Sequence, residues 1–201
     1  MNILADYVSF EENIKGSRFL SELFPCQNQT EARNLIKEQK SKYPDSTHVV
    51  HAFITGPGGE VMGMSDDGEP SGTAGRPALD VLKGHNCTNL LLTITRWFGG
   101  TLLGTGGLVK AYGNGAKEVL KAADEKNLFQ PLVNKVDFSF SCDYSLYKLI
   151  KINFTNFNLF NLKEDFQSQI NIKGQIQEDQ KDSFIGKLTD ISNGKIIVKL
   201  N

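Results

Sequence analysis

The spacing of apolar residues changes repeatedly along this chain, and each change predicts an element. Ile14 to Phe24 reads as extended, with Phe19, Leu20, Leu23 and Phe24 apolar and Gly16 interrupting the run. Asn28-Gln29-Thr30-Glu31 resembles a capping box. It opens a helix whose apolar face is Ala32, Leu35, Ile36 and Tyr43, and Pro44 stops it. His48 to Thr55 is strand-like, Gly56-Pro57-Gly58-Gly59 is a turn, and a second strand follows from Glu60 to Met64. A helix is predicted from near Thr73 to Gly84, with Pro77 tolerated in its first turn. Leu90-Leu91-Leu92-Thr93-Ile94 is a continuous apolar run, as in a strand buried on both faces. Thr105 stands where it can cap the longest helix, whose inner stripe is Leu108, Ala111/Tyr112, Gly115/Ala116, Val119 and Ala122.

After Lys126 a glycine-rich segment gives way to one rich in Asn, Lys and Phe, with Pro131 at the junction. From Val133 the pattern predicts a strand (Val136, Phe138 and Phe140 alternating), a helix from Tyr144 to about Phe154, and strands at Phe157 to Phe166 and Gln169 to Gln177. A helix from Glu178 to Ile191 and a strand from Lys195 to Leu200 complete the order β-α-β-β-α-β, the ferredoxin-like unit. The fold class is therefore α+β in two domains, residues 1–128 and 133–201, with a linker near Asn127 to Val133.

Charge narrows the function classes. The formal net charge is -1 over 201 residues, so any nucleic-acid surface is a local patch and not a global field. No basic-then-apolar leader opens the chain and no apolar stretch approaches the ~20 residues a membrane helix needs, so a cytoplasmic protein without a membrane partner is expected. Cys26, Cys87 and Cys142 are far apart and odd in number, which fits buried reduced thiols. His48 and His51 lie three apart in a strand, on opposite faces, and offer no ligand pattern.

Two loops carry candidate chemistry. In the first, Ser71, Gly72, Thr73 and Arg76 stand at a helix entrance, where free N–H groups and the dipole favour an anion. The same loop holds Asp66, Asp67 and Glu69, which either bind a metal or act as acid–base groups, or else cap the helix and pair with Arg76 or Arg96. The second loop runs from Arg96-Trp97 through Gly99, Gly100, Gly104, Thr105, Gly106 and Gly107 to Lys110. It leaves a strand and enters a helix, the geography of a ligand loop. It has neither a Gly-Lys-Ser/Thr step nor G-x-G-x-x-G in register, so no nucleotide cofactor is expected. If the helices lie side by side, Arg76, Arg96 and Lys110 converge on an anion cleft, and one of Trp97 and Phe98 is exposed to stack on a base.

Ser65-Asp66-Asp67-Gly68-Glu69-Pro70-Ser71-Gly72-Thr73-Ala74-Gly75-Arg76-Pro77 and Thr95-Arg96-Trp97-Phe98-Gly99-Gly100 through Leu103 to Tyr112 resemble the two long signatures of the YigZ/Impact family. Lys15-Gly16-Ser17-Arg18-Phe19 and Asp45-Ser46-Thr47-His48 resemble weaker elements upstream. Trp97 stands where the family commonly has tyrosine, and Val49-Val50-His51 replaces a segment that often contains cysteine. The resemblance implies a ribosomal-protein-like βαβ domain, similar to domain IV of elongation factor G, then a ferredoxin-like domain. Eukaryotic relatives regulate translation through an extra N-terminal partner-binding domain, and that partner is not carried over to this chain. The leading expectation is a non-catalytic protein of translation or its regulation that binds RNA or the ribosome, or a protein partner in translation control. A metal-assisted hydrolase or phosphoryl-transfer enzyme using Asp66, Asp67 and Glu69 is the alternative. A protein-interaction module is the third.

Overall fold

The structure, a computed structural model, describes residues 1–200. The chain folds as two compact units, one from Met1 to Leu132 and a second beginning at Val133. The first contains β1 (Asn2–Leu4), β2 (Val8–Ile14), β3 (Ser17–Pro25), α1 (Gln29–Lys42), β4 (His48–Thr55), β5 (Val61–Ser65), α2 (Gly75–Gly84), β6 (Cys87–Thr88), β7 (Leu90–Trp97), α3 (Thr105–Glu125) and β8 (Phe129–Pro131). Its main sheet is antiparallel throughout, in the order β2-β3-β7-β4-β5. The apolar run of β7 is central because both faces of that strand are covered. Leu90, Leu92 and Ile94 join the core beneath α2 and α3, while Leu91 joins Cys26, Ala32 and Phe53 beneath α1. Each such leucine contributes about 1.5–3 kcal/mol on burial.

The single extended stretch expected at Ile14 to Phe24 is part of a hairpin. Lys15 and Gly16, at φ 49° and 85°, form a two-residue turn whose twist matches the flanking strands. Glu12, at an inward position of β2 between Phe10 and Ile14, hides that strand from an apolar count. Asn28 caps α1 by accepting from the Glu31 N–H at 3.0 Å, and Glu31 accepts in return from Gln27 N–H at 2.8 Å. His48 and His51 do face opposite sides, one opposite Arg96 and the other opposite Thr93. A small sheet, β6-β1-β8, holds Phe129–Pro131 against Asn2–Leu4, so the middle of the stretch expected to link the domains is paired strand.

The second unit follows the predicted order: β9 (Lys135–Cys142), α4 (Tyr144–Phe154), β10 (Leu159–Phe166), β11 (Ile170–Gln177), α5 (Lys181–Ser192) and β12 (Lys199–Leu200). Its antiparallel sheet is ordered β10-β11-β9-β12, the ferredoxin-like arrangement. Phe138, Phe140, Ile170, Ile172 and Ile176 supply one face of its core, and Ile150, Phe184 and Leu188 pack onto it. Because that core is separate from the core of the first unit, a fragment of residues 1–132 should fold alone. A cooperative melt of the purified fragment is the expected result, and a fragment that is insoluble or melts without a transition would count against two domains.

Cys26, Cys87 and Cys142 are buried and free. Burial pushes the Cys26 thiol up to about 11 and that of Cys87 to about 12, so both stay protonated at neutral pH. No helix among the described residues is long and apolar enough to cross a membrane.

Candidate functional site

The loop after β5 folds around its own aspartate. Asp66 accepts from the N–H groups of Ala74 at 3.0 Å and Gly75 at 2.8 Å through Oδ1, and from Gly72 at 2.8 Å through Oδ2. The entrance of α2 does attract an anion, and the anion is this carboxylate. Thr73 therefore does not cap: its hydroxyl donates to the Pro70 carbonyl at 2.7 Å, and the helix starts two residues later at Gly75. Burial alone would raise the Asp66 pKa, but the three N–H donors outweigh it and hold it below the usual aspartate value. Asp67 turns the other way, to the Lys40 ammonium and, at 2.7 Å, to the Val49 N–H. Arg76 pairs with Asp80 one turn along α2, exposed, at 2.9 Å, and Ser71 stays on the surface.

Removing Asp66 leaves three N–H groups without this acceptor. Asp66→Ala should cost about 1–2 kcal/mol at pH 7. The sign with pH follows from the depressed pKa. The stabilisation is fully present above the unfolded value of 3.8 and is lost as pH falls through the lower folded value. Melts of parent and variant should therefore converge in acid, and a gap that stays constant below pH 3.8 would disprove the capping role.

Glu69, the third acid of that loop, points inward. Its Oε1 accepts from Arg96 Nη1 at 2.6 Å and from the Tyr112 hydroxyl at 2.7 Å. Arg96 is only 5% exposed, its Nη2 reaches Ser17 Oγ at 3.3 Å, and its Nε has no partner among the described residues. His48 donates from Nδ1 to the Asp67 carbonyl at 2.8 Å, which turns Nε2 toward Glu69 Oε2 at 3.8 Å. Burial, then the Glu69 carboxylate, pushes the Tyr112 phenol far up, so it serves as a donor. The cluster stands at the base of a cleft of about 460 Å³ whose walls include Phe98, Leu102, Leu103 and Thr105.

The entrance of α3 forms one rim of this cleft. Gly104 is the N-cap residue, no side chain caps the helix, and Thr105 is exposed. A Cβ at Gly104 or Gly106 would meet nothing within 4 Å, so the first N–H groups are open to approach. Gly100 is likewise open, but Gly99 is not. Its N–H donates to Ser17 Oγ at 3.2 Å, and it packs directly on the backbone of the β2–β3 turn. Phe98 is 46% exposed, with the Arg96 guanidinium 5.6 Å from its ring centre. Trp97 is half-buried: its indole N–H donates to Asp45 at 3.0 Å, Tyr43 packs edge-on, and Arg18 covers its ring at 4.3 Å.

The expected cleft thus needs correction in its charges. Arg96 lines it but is neutralised by Glu69, Arg76 is spent on Asp80, and Lys110 lies exposed beside Val109 and Pro77 in a separate depression. The expectation of two open helix entrances reduces to one. Asp66, Asp67 and Glu69 do not converge either, and among the described residues no three His, Cys, Asp or Glu side chains form a group able to hold a metal ion. Ser17, His48 and Tyr112 complete the Glu69–Arg96 cluster and were missed. The one usable signal was a tyrosine hydroxyl inside an otherwise small, apolar helix stripe.

Residues 15–120 match the Impact N-terminal domain, and residues 140–195 match a domain of unknown function, DUF1949. An IMPACT family member of Haemophilus influenzae is 35% identical over 195 residues, covering 96% of this chain and 93% of the relative. The IMPACT family member YigZ of Escherichia coli is 31% identical over 191 residues, covering 94% and 92%. A crystal structure of a hypothetical protein superposes with a TM-score of 0.72 at 31% identity, over 98% of this chain and 95% of that one. With both signature loops inside the matched segment and relatives aligned over nearly their full length, this chain belongs to the IMPACT family.

Proposed function

We propose that this protein acts in translation or its control, binding RNA or ribosomes non-catalytically at the entrance of α3. The observation that carries the reading is an uncapped, glycine-lined N-terminus of a 21-residue helix, open beside an exposed phenylalanine. Free N–H groups and the helix dipole at the rim of this cleft suit a phosphate. Phe98 offers a face on which a base can stack, and Lys110 adds a cation about one and a half turns along the helix. Family membership supports the translation setting.

Filter binding and ribosome co-sedimentation across a salt series test the reading. Lys110→Ala should flatten the dependence of log affinity on log salt by about 0.7 on single strands, one phosphate contact. Phe98→Ala should cost ~1–3 kcal/mol on single strands, and Trp97→Ala far less. Absence of binding at low salt, or binding indifferent to both Phe98 and Lys110, would leave a protein-interaction role instead.

A further inference from the structure

The outer face of the second unit's sheet, turned away from α4 and α5, carries a row of lysines that no carboxylate neutralises. Strand register builds the row. Lys199 of β12 stands opposite Ser139 of β9, Ser139 opposite Lys173 of β11, and Lys173 opposite Lys163 of β10. Neighbouring strands lie about 4.8 Å apart, so the row crosses the four strands in about 15 Å. A one-residue bulge between Phe160 and Lys163 brings Lys163, and not Leu162, onto this face. It also sends Glu164 to the other side, where Lys151 and Tyr147 hold it.

Lys163 and Lys173 are direct cross-strand neighbours, an arrangement that destabilises a sheet. All three lysines are exposed, and none forms an ion pair among the described residues. The rest of the face does not cancel them. Lys195 lines the same depression of about 580 Å³, and Lys135 lies 4.0 Å from the centre of the Phe160 ring. Against these five cations stand Asp137 and Asp165, which leaves an excess of three positive charges in a chain whose net charge is -1. Repulsion of this kind is relieved by an anion from outside the chain.

We infer that this sheet face is a second RNA-binding surface, which grips the phosphodiester backbone of a single strand along the row Lys163–Lys173–Lys199. A phosphodiester chain presents one anion per nucleotide in a continuous line, and lysines act on it as point charges. Ser139, Ser141 and Asn171 beside the row can donate or accept hydrogen bonds from sugar and phosphate. An extended acidic peptide fits less well, since its side chains alternate between faces. The surface lies on a different unit from the α3 entrance and stands without it.

The test is fluorescence anisotropy of the full chain with a fluorescein-labelled oligouridylate over a salt series. Lys163→Gln, Lys173→Gln and Lys199→Gln should each flatten the log–log salt slope by about 0.7, and the triple variant by about 2. Lys173→Arg should keep the parent slope. Lys163→Glu sets a carboxylate opposite Lys173, so it should raise the melting temperature while weakening RNA binding, which separates lost charge from lost fold. A triple variant with the parent's slope and affinity overturns the inference. So does polyaspartate that binds as tightly with the same lysine dependence, which would assign the face to an acidic protein. Inorganic phosphate competing as well as oligouridylate at equal concentration overturns it too, in favour of a small-anion site. Losses in Phe98→Ala and Lys110→Ala with none in the lysine row refute this surface and spare the α3 reading, and the reverse pattern does the opposite.

Discussion

Arg96→Ala should destabilise the first unit by about 3–5 kcal/mol, because it strands the Glu69 carboxylate in the core with its main cationic partner gone. Glu69 is buried, and Tyr112 alone would then face the Oε1 that Arg96 now contacts at 2.6 Å. For a unit of this size the loss corresponds to a fall in melting temperature on the order of 10–20 °C. A second variant separates charge from packing. Replacing the pair together, Arg96→Met with Glu69→Leu, removes both charges and should restore most of the lost stability, since apolar substitutes of similar volume often match a buried ion pair. Calorimetry on the two singles and the double gives the coupling directly. If Arg96→Ala melts with the parent, the pair is no buried ion pair in solution, and Arg96 is free to meet a ligand as the sequence suggested.

Gly99→Ala is the other substitution expected to have a large effect. A Cβ there would overlap the carbonyl carbon and oxygen of Gly16 and the amide of Ser17, all of them backbone atoms that cannot rotate away. Overpacking of this kind costs typically 1–3 kcal/mol and more where backbone must move. The displaced turn also carries Ser17, whose hydroxyl receives donors from both Arg96 and Gly99. Amide exchange should therefore rise in β2, β3 and the end of β7 together. Gly100→Ala makes the useful contrast: no atom lies within 4 Å of its Cβ, and only its φ of 85° opposes the change. Equal melting temperatures for the two variants would show that Gly99 is not fixed by this close approach.

The local elements were legible in the order of residues alone. Asn28 and Glu31 announced the start of α1, the apolar run at Leu90 announced a central strand, and the element order after Val133 announced the ferredoxin-like unit. These signals are short-range, set by the period at which side chains meet a buried surface. The signature loops were also legible as places where glycine and charge gather, and their match to one family carried over to the whole chain. What each loop residue does emerged only from long-range packing. Asp66 and Glu69, three apart, divide between a helix cap and the base of a cleft. Arg96, expected at a phosphate, is buried against Glu69 by a helix that also delivers Tyr112. Partners 43 residues apart, like Tyr112 and Glu69, leave no periodic trace. The lysine row is the same case on the other unit, since a one-residue bulge in β10 and the pairing of four strands set Lys163, Lys173 and Lys199 in line. A charged side chain carries no information about which neighbour it will meet; strand register and helix packing choose that neighbour, and with it the function of the charge.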